Sequence, residues 1–161
     1  MKARRTILYP TDFSKASIPA FTTAMALAKS TRATLTILHV IVPIVPLVPE
    51  QFLDTATWAR IDRKAREWGY ARLGRLAARA RRRGLRVTTF LYEGDPSRHI
   101  VATARGVRAG FVVMGTHGRR GISRFLMGSV AERVVALAPC PVVTVRLPEF
   151  RHSPGTGVAA A

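Results

Sequence analysis

The chain has 161 residues, 48% of them hydrophobic, and carries a formal net charge of +17 from 26 Lys and Arg against nine acids. That size suits one globular domain burying roughly 70% of its unfolded surface. The longest apolar stretch, Leu35 to Val48, is broken by His39, Pro43 and Pro46 and falls short of the ~20 residues of a membrane span, and the lone cysteine, Cys140, excludes an internal disulfide framework or a Cys-rich metal site.

The first apolar run, Thr6 to Tyr9, follows the basic segment Met1-Lys2-Ala3-Arg4-Arg5 directly, with no separate apolar segment and small-residue cleavage site between them. A cytoplasmic protein is the simplest expectation. Pro10-Thr11-Asp12-Phe13-Ser14 comes next, then a helix over 17–30 with Phe21, Ala24, Met25, Leu27 and Ala28 on its inner side. Thr34–Val40 reads as a second strand. The segment 42–50, with proline at 43, 46 and 49, reads as extended backbone, a connector packed on the helix that follows in preference to a lid or partner loop.

That helix spans about 55–83, with Trp58, Ile61, Ala65, Trp68 and Leu76 near helical spacing; Trp58, Trp68 and Tyr70 read as core or rim side chains. Gly84 stops it, and Arg79 to Arg83 sit where the helix dipole favours cations. Arg86–Tyr92 is a third strand. Asp95 caps the next helix, with Pro96 at its first position. Gly110–Met114 is strand four, a helix runs over 128–137, and Pro141–Arg146 is strand five. The domain is expected over 1–148, with 149–161 a disordered tail. Alternating strands and helices imply right-handed βαβ units and a parallel sheet covered on both faces, hence one doubly wound α/β domain.

The stretch after strand four carries the chemistry. The apolar run Phe111 to Met114 ends at Gly115; Gly118 follows after two residues, and after nine more comes Gly128-Ser129, opening a helix. Glycine permits a tight turn with positive φ, or close approach of backbone N–H groups to an anion. The helix start adds unpaired N–H groups and a partial positive charge, so a phosphate suits it. The loop lacks the Lys-Ser/Thr ending of the P-loop and is not G-x-G-x-x-G after the first strand. Taken alone, the spacing fits both a turn and an anion cradle.

Ile7-Leu8-Tyr9-Pro10-Thr11-Asp12-Phe13-Ser14, Leu38-His39-Val40-Ile41 and Gly115-x2-Gly118-x9-Gly128-Ser129 together resemble the universal stress protein family, and more narrowly its ATP-binding branch. The resemblance runs from about Ile7 to Arg146. It implies strand order 3-2-1-4-5, which puts the topological switch between strands one and four, where ligands bind at the carboxyl ends of strands. It further implies adenine against Pro10 and Val40, with Thr11 and Asp12 beside it. Gly115 and Gly118 would let the backbone wrap the phosphates, Thr116, His117, Arg119 and Arg120 would add side-chain donors, and Met114, Gly121, Gly128, Ser129 and Val130 complete the expected nucleotide site. Asp12 reads either as a ligand of adenosine, or of water on a Mg2+ or Mn2+ ion that accompanies ATP, or as a turn-former. Ser129 reads as a helix cap, a phosphate donor, or both. Family members pair into homodimers, often through strand five, here Pro141 to Arg146.

No catalytic residue is assigned. Asp12 is the one acid in the two marked loops, and His117 has no visible partner, which argues against efficient hydrolysis. The expected function is a nucleotide-dependent regulatory binding module rather than an enzyme; the alternatives are a slow metal-assisted ATPase or a basic nucleic-acid-associated protein. For the last, Lys occurs only at positions 2, 15, 29 and 64, leaving 22 Arg, and between Arg60 and Arg86 eleven cations face two acids, Asp62 and Glu67. Such a bias follows from the coding genome or from a polyanionic partner. Weak, sequence-independent nucleic-acid binding is expected from it.

Overall fold

The computed structural model of the chain describes residues 6–43, 54–116 and 127–146. Five strands form one sheet: β1 (Thr6–Pro10), β2 (Thr34–Ile41), β3 (Val87–Glu93), β4 (Phe111–Gly115) and β5 (Val142–Val145). Four helices intervene: α1 (Ile18–Ser30), α2 (Thr55–Arg81), α3 (Pro96–Gly106) and α4 (Ser129–Leu137), with a 3-10 turn over Lys15–Ser17 ahead of α1. The order is β3-β2-β1-β4-β5 with every pair parallel, as the resemblance implies.

The period-2 alternation of the strands sorts the core into two layers. Ile7, Tyr9, Leu35, Ile37 and Val113 face α1 and α2 with Phe21, Met25 and Leu73. Leu8, Leu38, Val40, Val112 and Met114 face α3 and α4 with Ile100, Ala104 and Val134. The central strand β1 is buried from Ile7 onward. Phe21 lies 5.2 Å from the Tyr9 ring, centroid to centroid, and burying such a side chain contributes about 1.5–3 kcal/mol.

The helix ends follow local chemistry. The Asp95 carboxylate accepts from Arg98 N at 2.8 Å, with Pro96 opening α3. Asp54 caps α2 in the same way, accepting from Thr57 N at 2.6 Å. Gly84, at φ +80, turns the chain after α2, where a side chain would be strained.

Helix α2 departs from its expected packing. Its buried residues are Gly69, Leu73, Ala77 and Ala80, all in its second half. Ile61 is 40% and Trp68 39% exposed, while Tyr70, at 61%, belongs neither to the core nor to its rim. The cause is length: 27 residues of helix reach about 40 Å at 1.5 Å per residue, farther than the strands beneath can cover. At Gly69 the helix comes close to the sheet, where an added Cβ would lie 2.9 Å from a Leu91 methyl and 3.6 Å from the His39 ring. The connector at 44–50 and the tail at 149–161 lie outside the described residues.

Candidate functional site

Strand β1 delivers Pro10 and Thr11, both buried, to the carboxyl edge of the sheet. Pairing extends one step past the strand, since Thr11 N donates to Leu38 O at 2.8 Å. The β1–β2 register, Pro10 opposite Leu38, carried two residues further sets Asp12 beside Val40. The β1–β4 register, Leu8 opposite Val112, carried three further sets Thr11 beside Gly115. Pro10, Thr11, Asp12, Val40 and Gly115 therefore converge at the switch point, as do Met114 and Thr116, which are buried at the end of β4.

The loop after β1 is held by its own side chains. Phe13 N donates to Thr11 Oγ1 at 3.0 Å, and Ser17 Oγ donates to the Ser14 carbonyl at 2.8 Å. With its proton committed there, Ser17 Oγ accepts from Thr11 Oγ1 at 3.1 Å. Tyr9 donates its phenol to the Ser17 carbonyl at 2.9 Å, and burial pushes the Tyr9 phenol above its ordinary pKa. Asp12 Oδ1 accepts from Ser14 N at 3.0 Å, so the turn-forming role of Asp12 is present in the fold.

A second layer braces this loop from the opposite face of the sheet. His39, 6% exposed, bonds the Thr11 carbonyl through Nδ1 at 2.7 Å. A carbonyl only accepts, so Nδ1 carries the proton. The Phe13 ring packs 4.4 Å from His39 and 5.3 Å from Trp68, and the Arg72 guanidinium lies 4.6 Å from the Trp68 ring centroid. Phe13 itself sits at φ +61, a left-handed backbone that costs a non-glycine residue about 1–2 kcal/mol. Sequence reading did not single out Phe13, His39, Trp68 and Arg72 as one cluster. The His in the Leu38-His39-Val40-Ile41 run, polar in an otherwise apolar strand, was the one available signal.

On the other side of the crevice, Gly128 N donates to Thr116 O at 2.9 Å, returning the chain to the end of β4 after the glycine-marked segment. Gly128, not Ser129, is the N-cap of α4, and it supplies no side-chain cap. Ser129 is the first helical residue and is exposed, and Val130 is half-buried. The N–H groups of the first turn have no intrahelical partner and point out of the helix end. His117, Gly118, Arg119, Arg120 and Gly121 lie outside the described residues.

These features suit an anionic nucleotide. The start of α4 is tied to the end of β4 through Gly128 N and Thr116 O, apolar Pro10 and Val40 lie at the same carboxyl edge of the sheet, and the buried Ser14 hydroxyl has no hydrogen-bond partner among the described residues. For a divalent ion, Asp12 is the described carboxylate in these loops; among the described residues there is no group of three or more His, Cys, Asp or Glu side chains placed to hold a metal directly. Contact through water, with the nucleotide supplying the remaining oxygens, is the arrangement these residues fit. Among the described residues, no helix is long and apolar enough to cross a membrane.

The fold and crevice define a doubly wound α/β protein with a phosphate-suited switch point. The sequence profile of the universal stress protein family matches residues 3–146, and the chain belongs to that family. A universal stress protein of Methanocaldococcus jannaschii is 36% identical over 145 residues, covering 89% of this chain and 82% of that one. The solved structure of the hypothetical protein MJ0577 superposes with a TM-score of 0.78 at 25% identity, covering 91% of this chain and 99% of that chain. A universal stress protein solved in complex with cAMP superposes with a TM-score of 0.64, also at 25% identity and over 91% of this chain and 99% of its own.

Proposed function

We propose that this protein is a cytoplasmic, ATP-binding regulatory module that changes its partners with nucleotide occupancy and is not primarily an enzyme. The observation that carries the reading is the convergence of the Thr11–Asp12 turn, Gly115 and the start of α4 at the β1/β4 switch. The Gly115-x2-Gly118-x9-Gly128-Ser129 spacing supports triphosphate recognition. The cAMP complex of a family member supports an adenine nucleotide. Adenine would rest on Pro10 and Val40, the phosphates would take backbone N–H groups of the glycine segment and of Ser129 and Val130, and Asp12 would hold a water on Mg2+ or Mn2+.

Mass spectrometry of the purified, denatured protein tests this directly, followed by calorimetry of the nucleotide-free protein with ATP and Mg2+. Absence of co-purifying nucleotide together with no binding heat would overturn the reading. A turnover assay separates binder from slow ATPase.

Homodimerisation through β5 belongs to the same proposal. Among the described residues this edge strand pairs only with β4, and its four residues are half-buried valines and a threonine, an apolar edge whose other side has no strand partner there. Thr144→Pro should leave a monomer by sedimentation; an unchanged dimer would relocate the interface.

A further inference from the structure

Among the described residues the net charge is not spread evenly over the surface. In a parallel α/β fold the strands begin, and the helices end, at the edge opposite the switch point, and nine exposed basic residues lie there. Arg79, Arg81, Arg82 and Arg83 close α2, and Arg86 leads into β3; all five are exposed. Lys29 and Arg32 flank the end of α1, and Arg105 and Arg108 the end of α3, again all exposed. Every acid among the described residues lies elsewhere: Asp12, Asp54, Glu93, Asp95 and Glu132 at the carboxyl edge, Asp62 and Glu67 in the first half of α2. The ion pairs follow suit, Arg66 with Asp62 and Glu93 and Arg133 with Asp95, so among the described residues this basic pole has none.

Two of its guanidinium groups are oriented by backbone. Arg81 Nη2 donates to Val87 O and Arg86 Nη2 to Arg32 O, each at 3.2 Å. Each group keeps further N–H donors beyond the bond that fixes it. Arg105 and Arg108 also line a cavity of about 170 Å³ with Ala104, Ala109 and Pro139. Among the described residues, the large hydrophobics exposed at this end are aliphatic, Val135 and Leu137, so the pole supplies charge without an aromatic platform for unstacked bases.

We propose that this pole is a docking face for the phosphate backbone of duplex DNA, without reading of sequence. Guanidinium forks match phosphate oxygens, and a duplex presents one charge per roughly 1.7 Å of its axis. The strands hold the pole away from the switch point: the seven steps of β2 span roughly 23 Å at 3.3 Å each. The inference therefore does not depend on nucleotide binding.

The test is fluorescence anisotropy of the full chain with a 20-base-pair duplex of arbitrary sequence, titrated from 50 to 200 mM salt. With about five phosphates engaged, the affinity falls several-hundredfold over that range, and the log–log slope lies near −4 to −5. The triple variant Arg79→Gln, Arg82→Gln, Arg83→Gln should flatten the slope by about 2 to 3. A second triple variant, Arg60→Gln, Arg63→Gln, Lys64→Gln, loses the same charge from the first half of α2 and should leave the slope nearly unchanged. Equal loss in both variants would reduce the effect to net charge and overturn the proposal. Preference for single strands, for an RNA duplex or for phosphatidylserine vesicles over duplex DNA would overturn it too.

Discussion

The His39 ring reaches from β2 to donate its Nδ1 proton to the carbonyl oxygen of Thr11, 2.7 Å away. That bond fixes the peptide preceding Asp12 from the face of the sheet opposite Val40, so the position of a candidate nucleotide ligand is set by a residue outside the crevice. His39→Leu leaves a buried carbonyl unsatisfied and should lower stability by about 1–3 kcal/mol. His39→Asn, whose amide can take the place of Nδ1–H, should recover part of it. Denaturant melts of both check this; equal loss would mean that packing against Phe13 and Trp68 matters and the hydrogen bond does not.

Asp12→Ala should weaken ATP binding about tenfold or more, with the larger loss when a divalent ion is present, because an interaction with a charged group is removed. Its Asx turn to Ser14 N also goes, so melting must be measured alongside calorimetry. A stability loss with unchanged ATP affinity would reduce Asp12 to its turn-forming role.

Gly118→Val should abolish most ATP binding while leaving the fold intact. A β-branched side chain restricts the backbone and fills the space a phosphate needs. Calorimetry reads it, with circular dichroism as the control. Undiminished affinity would remove the glycine spacing from the site.

Asp95→Ala should cost about 1 kcal/mol through loss of the α3 cap. The Ser97 hydroxyl, then the Arg98 N–H, hold the Asp95 carboxyl below its usual range. A depressed folded pKa means that this stabilisation is present above the unfolded carboxylate value of about 3.9 and is lost as pH falls through the folded value. Acid titration should therefore destabilise the wild type more than Asp95→Asn, which caps without titrating. Parallel acid curves would assign the cap's strength to geometry alone.

The Asp95-Pro96 cap and the stop at Gly84 were legible because each rests on local chemistry, whereas the strand order followed from the resemblance to a family of known topology. The packing of α2 was not. Helical spacing identifies an apolar stripe but not how far the sheet beneath it extends, so Ile61 and Trp68 came out more exposed than their pattern implies. The brace formed by Phe13, His39, Trp68 and Arg72 was also hidden, since its members come from a loop, a strand and a helix. The cap of α4 fell one residue earlier than Ser129 suggests, because Gly128 is tied to Thr116 and adopts the extended backbone of a cap itself. The crevice residues at strand ends were readable from the resemblance and the switch-point rule, whereas the buried hydroxyl of Ser14 shows only in three dimensions.

The bond from the Tyr9 phenol to the Ser17 carbonyl closes residues 9–17 into a ring, and the Thr11–Ser17 hydroxyl pair spans it a second time. This makes the segment a gauge of fixed length. One inserted residue between Thr11 and Asp12 would lengthen both closures at once and carry Asp12 out of line with Val40. Elsewhere, surface loops absorb added residues at little entropic cost. Variation in this fold should therefore accumulate by substitution within the ring and by insertion outside it.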